Sequence, residues 1–243
     1  MMLEKHQRLC VWVGAAFVPL FVIGFASTGW LPPPSPALSA EQIKAIFVAD
    51  GPRIRIAMWF LTMVAPMLAF FGAALVHQCR RIVGESPLVT IQTVAVACLV
   101  LEFIIPQMVW QTALFRPGAS AEKFQTLNDQ AWMLYLGVPG TVMAQMIVLA
   151  ICILQDRREV PLVPRWVAYL NIWLALGVVS GGLIVFTHTG PIAWNGVISW
   201  WLVAASFFVW VAAMSWAMLG ASRRAESCPE PMCKPVGAQP KTE

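Results

Sequence analysis

Charge is the scarcest property of this sequence. Only 12% of its 243 residues are Asp, Glu, Lys or Arg, while 59% are hydrophobic and the mean hydropathy is +0.71. Soluble domains carry roughly a quarter charged residues, so that class is excluded. The net charge of +4 is not a nucleic-acid footprint, because no basic patch or aromatic-interleaved groove accompanies it. Nucleotide-driven and hydrolytic chemistry also lack their signatures: there is no Walker loop, no Gly-x-Ser-x-Gly elbow and no His-Glu-x-x-His. Histidine is too sparse and too scattered for a haem or metal site, since His6 and His77 belong to one side of the chain's layout and His188 to the other. Cys228 and Cys233 have no second pair to complete a zinc site. Neither a metal nor a cofactor is expected.

What the sequence has instead is apolar runs of membrane-spanning length. A helix rising ~1.5 Å per residue needs about 20 residues to cross the hydrocarbon, and six stretches qualify: 9–30, 54–76, 88–114, 130–154, 166–186 and 197–219. The expected fold is an all-α integral membrane protein of six transmembrane helices in three hairpins, forming one domain over 1–220. A Pro-rich, charged tail over 221–243 is expected to be disordered. A cleaved signal peptide competes for the first run, although that run exceeds the ~7–15 apolar residues of a typical signal core. Pro66 is an expected kink, and Gly177, Gly181 and Gly182 give the fifth span small surfaces for close packing.

Two extramembrane stretches share their wording. Pro36-Ala-Leu-Ser-Ala-Glu41 and Pro117-Gly-Ala-Ser-Ala-Glu122 lie 81 residues apart, and each follows an odd-numbered span. Both predict short serine-capped helices, over Ser39–Ala49 and Ser120–Asn128. Duplication of a hairpin and independent use of common capping residues both account for the likeness.

Orientation follows from the basic residues. Placing both termini in the cytoplasm puts 11 Lys and Arg inside and 5 outside, as the positive-inside rule requires. Cys10, Cys79, Cys98, Cys152, Cys228 and Cys233 then fall in spans or on the inner side, which suits reduced thiols rather than a disulfide scaffold. Trp30, Trp59, Trp110, Trp132, Trp194, Trp200 and Trp201 collect near the outer ends of spans and are expected to form an interfacial belt. The layout is similar to that of small bacterial polytopic proteins, which implies a cytoplasmic (inner) membrane, and it transfers no functional residue.

One acid stands inside a span. Glu102 lies near the middle of 88–114, where insertion scales charge roughly 2.5–3.5 kcal/mol for a centred Asp, so the residue needs a reason or a partner. Helical spacing puts it on a face with Ala95, Cys98, Leu99, Pro106, Val109 and Ala113, and turns Gln107 and Gln111 away. No Lys or Arg occupies a span interior, so a neutral carboxyl is expected to face the bundle and bond a polar group of another span, with Gln145 and Asn171 the first candidates. His188, in a short turn, is a further ligand candidate. These six, Glu102, Gln107, Gln111, Gln145, Asn171 and His188, are the candidate ligand-binding or proton-relay residues; no catalytic residue is identified. The expected function is that of a non-enzymatic accessory subunit or a small carrier for an apolar ligand. The alternative is an embedded enzyme or proton-coupled transporter using Glu102. The partners implied are the lipid bilayer and either an apolar small molecule or another membrane protein, with no nucleic acid.

Overall fold

Proline, glycine and serine divide the apolar runs into their elements. The computed structural model describes residues 2–227, and every regular element among them is helical. Six helical stretches are long and apolar enough to cross a bilayer: Glu4–Ala26, Gly51–Val83, Pro87–Phe115, Ala121–Leu154, Arg165–Phe186 and Val197–Arg224. This is the helix complement of a multi-pass membrane protein.

The first span, α1 (Met2–Ala26), stops short of Trp30, the last residue of the apolar run. Its end is set by hydroxyls that turn back on the helix: Ser27 Oγ donates to the Gly24 carbonyl at 2.6 Å and Thr28 Oγ1 to that of Phe25 at 2.7 Å. Gly29 then leaves the helix with φ +79°, a region that favours glycine. Helix α2 (Ala40–Ala49) carries the expected capping box, with the Gln42 amide donating to Ser39 Oγ at 3.3 Å and the Ser39 amide to Gln42 Oε1 at 2.8 Å. The second span is split at Pro66 into α3 (Gly51–Val64) and α4 (Met67–Val83), because proline removes a helical donor and crowds the preceding turn.

The third span is α5 (Pro87–Phe115). Helix α6 (Ala121–Leu136), capped by Ser120, is twice the length its sequence predicted. Rather than being a separate surface helix, it is the start of the fourth span, which breaks over Gly137–Pro139 and resumes as α7 (Gly140–Leu154). The fifth span begins as α8 (Arg165–Val179) and tightens to a 3₁₀ segment over Ser180–Phe186. The sixth opens as a π-helical segment, Val197–Leu202, and continues as α9 (Val203–Ser227). Its last two turns occupy the start of the stretch expected to be a tail; the remainder of that stretch, with Cys228 and Cys233, lies outside the described residues.

Contacts fix the two ends of the bundle. At one, Arg81 pairs with Glu4 at 3.4 Å, Arg158 Nη2 donates to the Arg81 carbonyl at 2.7 Å, and Arg224 Nη2 to that of Leu162 at 2.7 Å. At the other, α2 and α6 pack together. Lys44 Nζ donates to the Ala119 carbonyl at 2.7 Å and Gln125 Nε2 to the Leu38 carbonyl at 3.4 Å. The 81-residue offset maps Lys44 onto Gln125 and Leu38 onto Ala119, so each bond is the image of the other. Such reciprocity is the pattern of a two-fold, isologous contact.

A carboxyl in an aromatic cavity

The paired α2 and α6 helices cover one end of the bundle, and beneath them the tryptophans turn inward. Trp30, Trp110, Trp132, Trp194 and Trp200 are all buried. Trp110 lies 5.3 Å from Trp30 and 5.0 Å from Trp132, and Trp132 lies 5.6 Å from Trp200, between ring centroids. Two indole donors are held as well: Trp110 Nε1 donates to Asn128 Oδ1 at 3.3 Å and Trp194 Nε1 to the Pro34 carbonyl at 2.8 Å. The expected belt is thus corrected to a core, with only Trp59 and Trp201 of the seven exposed. A roof of helices creates an interior where sequence position suggested an interface, and large rings packed on one another fill it, although the Trp30 and Trp132 indole N–H groups are buried without a hydrogen-bond partner.

Below this cluster is a cavity of about 180 Å³. Phe21 and Phe25 of α1, Phe103 of α5, Tyr135 of α6, Trp200 of the π segment, and Phe207 and Phe208 of α9 line it, and Glu102 adds the single ionisable carboxyl. Val22, Leu31 and Trp201 form its outer rim, and at 40%, 42% and 49% exposed they open it sideways, toward the flank of the bundle.

Two interruptions of helical backbone reach the cavity, and a third is bonded to one of them. Leu136 and Pro139 bound the break in the fourth span and Trp200 and Trp201 belong to the π segment; all four line the cavity, while the 3₁₀ segment adds no lining residue. The 3₁₀ and π segments are tied to each other through serines: Ser180 Oγ lies 3.0 Å from the Ile198 carbonyl and Ser199 Oγ 3.0 Å from that of Ser180. Irregular backbone at membrane depth is tolerated where protein buries it or where it lines a cavity. Broken helices and π-bulges recur at binding sites for the same reason.

Glu102 is half-buried at the edge of the α5 core face. Thr141 Oγ1, one residue into α7 beyond the break, donates to Glu102 Oε2. The expected partners are engaged elsewhere. Gln145, one turn further along α7, accepts from Gln92 Nε2 at 3.3 Å and donates to the Ala95 carbonyl at 3.2 Å. Asn171 accepts from Trp210 Nε1 at 2.9 Å and donates to the Val167 carbonyl at 2.8 Å. Both amides cross-link spans.

Of the remaining candidates, Gln111 Nε2 donates to Thr62 Oγ1 at 3.1 Å and His188 sits in an exposed turn. Gln107 is fully buried, with no hydrogen-bond partner for either amide atom. That corrects the reading that turned it away from the core: the buried arc of α5 runs through Leu99, Phe103, Pro106, Gln107 and Trp110. Cys98, placed on the Glu102 face by spacing, is exposed. The structure therefore brings only Glu102 of the six candidates to the cavity. The sequence reading missed Thr141 and the ring set of Phe21, Phe103, Tyr135 and Phe207; the one local signal for them was Gly-Val-Pro at 137–139, a helix breaker inside an apolar run. Among the described residues no group of three or more His, Cys, Asp or Glu side chains converges as metal ligands would. Comparison of the chain with family models, with curated proteins and with solved structures found no match.

Proposed function

We propose that this protein is a non-enzymatic carrier or binding protein of the membrane, taking an apolar, ring-sized molecule from the lipid into the cavity beside Glu102. The observation that carries the reading is the meeting of two broken helical segments, the 137–139 break and the π segment, on one aromatic-lined space that opens to the side and holds a single carboxyl. Regular helices would satisfy their own backbone at lower cost, so breaks gathered at one place point to a role for that place. The size suits the ligand, because a void of about 150 Å³ accommodates benzene. An accessory subunit has no need of such a space. In this reading both termini face the cytoplasm, and the membrane is the bacterial-type cytoplasmic membrane.

The test is saturable binding. The full chain in phosphatidylcholine nanodiscs is titrated with para-bromophenethyl alcohol, whose bromine quenches nearby indoles such as Trp200. Quenching is expected to saturate in the wild-type protein and to become linear, as for simple partition into lipid, in Ala204→Phe, which fills the cavity. Linear quenching in the wild type overturns the binding role.

A further inference from the structure

The chemistry of the cavity narrows the ligand class, and the narrowing rests on the binding role proposed above. Its lining holds Glu102 and no Lys or Arg. The ion pairs Arg53–Asp50, Arg80–Glu85, Arg81–Glu4 and Arg158–Asp156 lie at helix ends or in connecting segments. Aromatic rings share the cavity lining with the carboxyl and pack on one another: the Phe103 centroid is 5.5 Å from those of Phe21 and Tyr135 and 5.3 Å from that of Phe207.

Ring faces carry the negative part of the aromatic quadrupole, and they attract a cation lying within about 6 Å of the centroid, most strongly where water is excluded. A carboxylate among such rings complements an ammonium group. It repels a carboxylate ligand and gives an alcohol only a hydrogen bond. Thr141 already holds Glu102 Oε2, so part of the cost of ordering the acid is met before a ligand arrives.

We propose that the cavity takes an amphiphilic amine, with an ammonium head against Glu102 and an alkyl or arylalkyl stem directed past Val22, Leu31 and Trp201 into the bilayer. A primary amine crosses the lipid as the free base. In the cavity its nitrogen lone pair takes the carboxyl proton, so that an N–H bond forms as the O–H bond breaks, leaving an ammonium–carboxylate pair with no net charge added to the site. The exposed rim fits this path, because the molecule slides in from the lipid and never needs to shed a full hydration shell.

The test compares para-bromophenethylamine with the isosteric para-bromophenethyl alcohol in the same nanodiscs, read by tryptophan quenching. In the wild type the amine is expected to half-saturate at a concentration on the order of tenfold below the alcohol. In Glu102→Gln, which keeps an acceptor for Thr141, the ratio is expected to fall to about one. Equal half-saturation in the wild type, with the alcohol still saturating, overturns the amine assignment and leaves the binding role standing. Linear quenching by both probes overturns both readings. Persistence of the tenfold ratio in Glu102→Gln overturns the part given to Glu102. The wild-type ratio alone decides the ligand class if the variant does not fold.

Discussion

Glu102 is held by a hydroxyl from beyond a helix break rather than by an amide from an intact helix, and that difference carries its consequences. Replacement by Gln keeps an oxygen for Thr141 to donate to, whereas replacement by Leu removes that acceptor. Loss of a buried partner costs about 1–3 kcal/mol. Thermal unfolding in detergent should therefore place Glu102→Leu below Glu102→Gln in midpoint, with Thr141→Val falling close to the leucine variant. Equal midpoints for all three would remove the structural half of the argument. An intramembrane acid is legible in a sequence because hydropathy makes it conspicuous; its partner is not, because the depth of one helix against another depends on where each helix starts and breaks. Gln145 and Thr141 lie one turn apart on α7, and the break over Gly137–Pro139 decides which of them reaches Glu102.

At the scale of elements, caps and breakers were the readable part. Ser39 with Gln42, Ser120 and Pro66 act through hydrogen bonds or a missing amide within a few residues, so local sequence suffices to place them. The 3₁₀ and π segments are set instead by long-range contacts. A Cβ on Gly181 would lie 2.7 Å from the Leu136 carbonyl oxygen and one on Gly177 would overlap Ser206 Oγ, so the fifth span is drawn tight against the break and against α9. Gly181→Ala is accordingly expected to destabilise by about 1–3 kcal/mol, the usual cost of overpacking against backbone, and to weaken saturable quenching by reshaping the cavity wall. Wild-type stability together with wild-type quenching would show that this contact is slack. The cap makes a second case. Ser39→Ala removes one side of the capping box, for a loss of about 1 kcal/mol, and should raise amide exchange in α2 ahead of the rest of the chain. Uniform exchange across α2 and α9 in that variant would mean that packing on α6 alone holds the helix.

For the whole molecule, the reciprocal bonds between α2 and α6 relate the segments that follow the first and third spans about a local two-fold, and they place both segments at one end of the bundle. Hydropathy marked the six spans, but it misread the tryptophans, because a count of rings near span ends cannot reveal that two capped helices fold over them. The same roof gathers the end of the bundle that is poorer in basic residues, with Lys44 and Lys123 on its helices, while Arg80, Arg81, Arg157, Arg158, Arg223 and Arg224 belong to the opposite end with Glu4. With both termini proposed to face the cytoplasm, the positive-inside rule favours the arginine end inside and the α2–α6 roof outside. Single cysteines introduced at Ser35, Ser120 and Thr189, in a background where the native thiols are replaced, should all react with a membrane-impermeant maleimide added to intact cells. Ser35 and Ser120 are the stricter pair, because each lies a few residues from a bond that joins α2 to α6, Gln125 to Leu38 and Lys44 to Ala119. Labelling of one without the other would break the placement of both segments at one end of the bundle, and labelling of both only after the cells are opened would invert the protein in the membrane.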